Sequence, residues 1–217
     1  LEGIYHRIAG YENGLQATVR DDYRFSDPIL QNLDFHNKKI LLLTTHRREN
    51  LGGPLSQVYL ALKRIISEHP EVEIVFPVHK NPKVRQVVEE VLGEVPRVHM
   101  IEPLDYQPFI NLMQKSYMVL TDSGGLQEEA PSLGKPVLVL RDTTERPEAL
   151  AAGTVRLVGT NSEEVYQHAK ELITSSEAYQ GMANAVNPYG DGKASARIVN
   201  CILYYFGRVG VKPENFM

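Results

Sequence analysis

Tryptophan is absent from the 217 residues, cysteine occurs once, at Cys201, and aromatic side chains make up only 8% of the chain. A lone cysteine excludes an internal disulfide and a cysteine-built metal site; it fits a reducing compartment, so the cytoplasm is the expected location. No apolar run is long enough to span a bilayer, and Leu1 to Tyr11 lacks the basic-then-apolar order of a signal peptide. A basic surplus is missing too: 23 Lys and Arg stand against 27 Asp and Glu, a net charge of −4. That leaves no broad field to hold nucleic acid, so any anion has to be bound locally. What is present is ordinary for a globular chain, 42% hydrophobic and 23% charged, enough for one well-filled domain, or one domain plus a long appendage. There is no repeat of solenoid period and no low-complexity tract.

Short β-branched runs alternate with longer amphipathic stretches, the mark of βαβ units and an α/β fold. Lys39 to Thr44 carries Ile40-Leu41-Leu42-Leu43 without polar alternation, as an inner strand covered on both faces requires. From Pro54, the apolar residues Leu55, Val58, Tyr59, Leu62, Ile65 and Ile66 recur at spacings of three and four, predicting a helix that stops before Pro70. Val72 to Val78 reads as a second strand, followed by a helix that Pro82 can begin. Further rounds are Val98 to Ile101 with Gln107 to Lys115, Tyr117 to Thr121 with Leu126 to Leu133, and Pro136 to Leu140 with Pro147 to Ala152. Thr154 to Val158 is the sixth strand; Asn161 or Ser162 can cap the helix after it, and a terminal helix runs from about Ala194 to Phe206. Residues 38–217 are therefore expected to form one doubly wound, Rossmann-like lobe with a terminal helix. Residues 1–37 fall outside the rhythm and read as linker, with a short helix possible over Leu15 to Tyr23 and a connector over Phe25 to Asn37.

In a parallel sheet, ligands bind beyond the carboxyl ends of the strands, which directs attention to three loops. The first, Thr45-His46-Arg47-Arg48-Glu49-Asn50, brings an imidazole, two guanidiniums and a carboxylate to one strand end; read blandly, it is a solvated loop of mutually paired charges. The second is Asp122-Ser123-Gly124-Gly125-Leu126-Gln127-Glu128-Glu129. Its glycines let backbone approach a phosphate, Ser123 can cap the helix, and the first-turn amides favour an anion, although such a turn is also a plain helix start. Glu129 is placed to accept from a vicinal diol, or else merely complements the helix dipole with Glu128. The third is Arg141-Asp142-Thr143-Thr144-Glu145-Arg146-Pro147-Glu148. Here Arg146 can reach the same crevice, or pair on the surface with Glu145 or Glu148. Phe109 fits a core position as well as a base platform, and His79 ends the second strand near the first loop. His6, His36, His69, His99 and His168 show no ligand spacing, and no metal is expected.

Together with Asn187-Pro188-Tyr189-Gly190-Asp191-Gly192, these loops in this order resemble the non-hydrolysing UDP-N-acetylglucosamine 2-epimerases, over about residues 14 to 207. The resemblance implies a two-lobed fold similar to GT-B glycosyltransferases, of which this chain looks like the C-terminal, nucleotide-holding lobe. It implies interconversion of UDP-GlcNAc and UDP-ManNAc by loss of UDP, through a 2-acetamidoglucal, and re-addition with C2 inverted, needing no metal or nicotinamide cofactor. By the same resemblance, His46 is the catalytic group at the diphosphate and sugar, and Ser123, Gly124 and Gly125 bind phosphate. Glu129 holds the ribose, Arg146 reaches the sugar, and Leu104 and Phe109 frame the uracil. Arg47 and His79 look like contributions to a second, regulatory UDP-GlcNAc site. The carboxylates that move the C2 proton lie in the family's N-terminal lobe, so the isolated chain is expected to bind but not to turn over. Leu1 to Asn13 does not resemble the family's lobe junction. An apolar face of the terminal helix, Ile198, Cys201, Ile202 and Tyr205, with Phe206 at its end, predicts a homo-oligomer. The alternatives are a glycosyltransferase donor lobe, which shares the Ser-Gly-Gly pattern, and a catalytically dead UDP-sugar-binding module.

Overall fold

The computed structural model describes residues 19–47, 52–189 and 193–213. Residues 19–188 form one compact unit, and the helix Ala194–Tyr205 belongs to a second. Within the first unit, six strands form one parallel sheet: β1 (Lys39–Thr44), β2 (Val72–Pro77), β3 (Val98–Ile101), β4 (Met118–Thr121), β5 (Val137–Val139) and β6 (Val155–Leu157). Their order is β3-β2-β1-β4-β5-β6. β1 is central, and Ile40, Leu41, Leu42 and Leu43 are all at most 1% exposed, which is why its sequence shows no polar alternation.

Leu41 and Leu43 face a core built with α2 (Gly53–Glu68), α3 (Pro82–Leu92) and α7 (Ser162–Thr174). Because strand side chains alternate, Ile40 and Leu42 turn to the opposite face. That layer holds α4 (Tyr106–Lys115), which packs on β1, together with α5 (Leu126–Ser132) and α6 (Pro147–Ala152). The helix starts follow their capping chemistry. Asn81 accepts from the Lys83 amide ahead of Pro82, and the Asn161 side chain accepts from the amides of Glu163 and Glu164. α6 ends on Gly153 at φ 75°, a left-handed position open to glycine at no steric cost.

Two elements depart from the sequence expectation. Within the expected connector, α1 (Pro28–Asn32) forms because Asp27 caps it, and it buries Leu30. After α7, the helix α8 (Ser176–Ala183) starts on the Ser175 cap and buries Met182. Residues 19–23 are not helical; the rest of the helix expected over Leu15 to Tyr23 lies outside the described residues, as do residues 1–14. In the second unit, α9 (Ala194–Tyr205) has no buried residue; Ile198 is 59% and Ile202 50% exposed. Among the described residues no helix is long and apolar enough to cross a membrane.

Candidate functional site

Strand order reverses between β1 and β4, and there the crevice opens. Thr44 pairs with Thr121 across the two strands, their hydroxyls 2.6 Å apart, so the residues that follow each emerge side by side. From β1 come His46 and Arg47; from β4 comes Asp122, which is wholly buried. One Asp122 oxygen accepts from the amides of His46 and Arg47, each at 2.9 Å, and the other lies 2.9 Å from His46 Nδ1. The Asp122 carbonyl accepts from Arg47 Nε at 3.0 Å. Burial alone pushes the Asp122 carboxyl up, but the His46 imidazole and the two amides outweigh it and hold the group below the usual carboxylate range. The same bond raises His46, against the opposing effects of burial and of Arg47. The loop is anchored from below by Thr45, whose hydroxyl lies 2.8 Å from the phenol of fully buried Tyr59 on α2.

The His46 and His79 rings lie 6.4 Å apart at 29°. They border a cleft of ≈ 170 Å³ that Leu104 and Phe109 also line. This brings together four residues drawn from three separate loops and the start of α4.

The turn after β4 is built differently from the sequence expectation. Ser123 does not cap α5: the N-cap position is Gly125, and among the described residues no side-chain cap hydrogen bond is made there. Ser123 stands two residues too early for its hydroxyl to reach them; its own amide donates to Thr121 Oγ1 at 2.9 Å, and its carbonyl accepts from Gln127 Nε2 at 3.1 Å. The turn is thus fastened from behind, leaving the leading helix amides to outside partners.

The loop after β5 closes over this turn. A Cβ placed on Gly124 would lie 3.4 Å from Glu145 Oε1 and 4.0 Å from Arg146 Nη2. Thr144 joins the two segments, donating to Gln127 Oε1 at 2.6 Å and accepting the Arg146 amide at 3.1 Å. The Arg146 guanidinium pairs with Glu128 and also donates to the Glu145 carbonyl, so among the described residues its acidic partner is Glu128 rather than Glu145 or Glu148. Glu145 instead pairs with Arg47 at 3.0 Å and with Arg141. A backbone amide and Arg141, with Arg47, hold it down at about 2. Glu129 lies one helical turn into α5; burial, and then Glu128, push its carboxyl up.

Arg47, Gly124, Arg146 and His46 therefore converge, and Asp122 links the two halves of the crevice. Arg48, Glu49 and Asn50, and Gly190 to Gly192 of the fourth motif, lie outside the described residues. Nothing local in the sequence marks Asp122 for this role beyond its being an acid at a strand end, directly before a glycine turn, and Glu145 is visible there only as a surface partner for Arg146. Among the described residues no cluster of three or more His, Cys, Asp or Glu suits a metal ion.

The family model described as UDP-N-acetylglucosamine 2-epimerase matches residues 12–203. The UDP-N-acetylglucosamine 2-epimerase of Bacillus subtilis (strain 168) is 52% identical over 204 residues, covering 94% of this chain and 53% of that protein. Among solved structures, the S. aureus MnaA–UDP co-structure superposes with a TM-score of 0.87 at 50% identity, covering 95% of this chain and 56% of that one. The Neisseria meningitidis UDP-GlcNAc 2-epimerase bound to UDP-GlcNAc gives 0.74 at 44% identity, covering 91% and 49%. The C-terminal domain of a glycosyl transferase group 1 family protein from Francisella tularensis shares the fold at 14% identity and a TM-score of 0.59, over 79% of this chain and 92% of that one. The chain spans about half the length of the curated relatives it matches. Half identity sustained over nearly the whole chain is more than isolated motifs produce, and the chain belongs to the UDP-N-acetylglucosamine 2-epimerase family.

Proposed function

We propose that this chain is the nucleotide-sugar-binding half of a UDP-GlcNAc 2-epimerase, acting in the cytoplasm. The observation that carries the reading is the convergence of three strand-end loops at the β1/β4 switch point, with His46, Gly124 and Arg146 gathered there. The diphosphate rests on Ser123, Gly124 and Gly125. Arg146 leaves Glu128 to grip the diphosphate and sugar, a bidentate task suited to a planar guanidinium. Glu129 accepts from the ribose hydroxyls, and the cleft beside Leu104 and Phe109 takes the uracil. His46 stands at the phosphate that departs when the C1–O bond breaks and the C2 proton is removed. Arg47 and His79 serve the second UDP-GlcNAc site.

Moving that proton requires a base and an acid on either side of C2. We assign them to the other half of the family's length, so the 217 residues bind UDP but do not epimerise. The exposed apolar face of α9 makes the chain a homo-oligomer; a monodisperse monomer in light scattering overturns that assignment.

Calorimetric titration with UDP, then with UDP-GlcNAc, tests the reading. The expected result is one site per chain for UDP, with Arg146→Ala weakening it about tenfold or more, the loss of one charge-assisted contact. No heat at millimolar UDP, or an unchanged affinity in Arg146→Ala, refutes it.

A further inference from the structure

Asp122 contacts both His46 and Arg47 of the first loop, yet none of the roles above belongs to it. It is wholly buried, and its carboxylate collects two main-chain amides and one imidazole nitrogen. A structural tether needs only the amides. The third contact, to Nδ1 of His46, determines the state of a side chain that is still 46% exposed on the crevice side.

We propose that Asp122 is a positioning residue for His46: its buried carboxylate holds Nδ1 inward, fixes the tautomer, and so presents Nε2 to the phosphate of a bound nucleotide. The chemistry follows from proton inventory. An ionised carboxylate can only accept, so Nδ1 must carry a hydrogen in both charge states of the ring. Neutral His46 then shows a bare lone pair at Nε2, and protonated His46 shows an N–H donor there. Only the protonated ring supports an anionic phosphate oxygen, and the carboxylate behind it favours that state. The phosphate part of this rests on the nucleotide-sugar reading of the site; the tautomer and titration part does not.

Among the described residues, the charged and titratable groups around His46 are Asp122, Arg47 and His79, and around Asp122 they are His46, Arg47 and the Tyr59 phenol. Arg47 opposes protonation of His46, and Asp122 outweighs it. With the histidine raised and the aspartate lowered, the pair's contribution to stability is complete between their ordinary values of 3.8 and 6.5. It is lost above that window as pH rises through the folded His46 midpoint, and below it as pH falls through the folded Asp122 midpoint.

Long-range ¹H–¹⁵N spectra of the histidine ring nitrogens in the whole 217-residue chain test this directly, across a pH series and without any ligand. Wild type is expected to show the Nδ1–H tautomer for neutral His46 and a midpoint above the ordinary histidine value. Asp122→Asn keeps the shape but not the charge, and its His46 midpoint should fall. UDP affinity, read at a pH between the wild-type and the variant His46 midpoints, should drop about tenfold in Asp122→Asn, equivalent to one charge-assisted contact. An Nε2–H tautomer in wild type, or an unmoved midpoint in a folded Asp122→Asn, overturns the proposal. If the variant does not fold, the wild-type tautomer and midpoint decide. Failure of wild type to bind UDP refutes the nucleotide reading, while the ring spectra still test the role of Asp122 independently.

Discussion

Replacing Gly124 with alanine separates binding from stability, because the structure assigns the glycine to the first and not the second. Gly124 is not among the glycines with positive φ, so alanine adopts its backbone without strain. The added methyl would meet nothing nearer than Glu145 Oε1 at 3.4 Å, the movable end of an exposed side chain. With no clash to relieve, alanine restricts the unfolded chain and is worth about 0.4–1 kcal/mol of stability. For a chain of this size that is a rise of roughly 1–4 °C in the melting temperature. Binding should respond in the opposite direction. A diphosphate seated on the turn has to come within hydrogen-bond distance of main-chain amides, and a methyl on Gly124 stands in its approach. Losing one charge-assisted bond of about 1.5–3 kcal/mol weakens UDP roughly ten- to hundredfold. Gly181→Ala is the control. Gly181 lies inside α8 with nothing within 4 Å of its added Cβ, so it should raise the melting temperature by a similar amount and leave UDP affinity alone. Thermal melts and calorimetry on the three proteins give the answer. Gly124→Ala that binds UDP as tightly as wild type would mean the phosphate does not rest on this turn. A fall of several degrees in its melting temperature would mean the open space beside Gly124 is not there.

Glu145→Gln should tighten UDP by a few fold at low salt. The carboxylate sits over Gly124, remains ionised with its pKa near 2, and repels an incoming diphosphate. The gain should vanish in 1 M salt, where the screening length is about 3 Å; a loss of affinity would show instead that Glu145 is needed to hold Arg47 and Arg141 in place. Leu62→Ala, in the core under α2, removes a side chain that is fully buried against the sheet. It should cost about 2–5 kcal/mol in urea unfolding with the m-value unchanged, and a cost under about 1 kcal/mol would contradict the packing described.

How legible the fold was in the sequence depended on how much each segment buries. β1 announced itself because four consecutive apolar residues need cover on both faces, and α2 because seven of its residues are buried at helical spacing. α1 and α8 were missed for the converse reason. α1 has five residues and buries one, Leu30, too little for any periodicity; α8 buries only Met182 and carries a glycine in its interior. Their helices rest on the caps Asp27 and Ser175, and single capping residues are common in loops as well. The serine expected to cap α5 shows the same ambiguity in reverse: a serine beside two glycines fits a cap, but the turn runs two residues longer.

The site shows a sharper division. Each loop was visible as an oddity of composition, since glycine pairs and dense charge at a strand end are local features. What joins the loops is not local. His46 and Asp122 are separated by 76 positions, and nothing within either segment says that β1 and β4 are neighbours. That adjacency comes from the sheet order, with helices α2, α3 and α7 filling one face and α4, α5 and α6 the other. Once Thr44 and Thr121 are in register, geometry leaves little freedom: the second residue after β1 and the first after β4 emerge within a hydrogen bond of each other. A carboxylate at 122 then has an imidazole as its neighbour, and burial obliges it to find donors. The crevice thus sets its own electrostatics through the fold, and a substitution that shifted the β1/β4 register by one residue would separate His46 from its acid without changing either side chain.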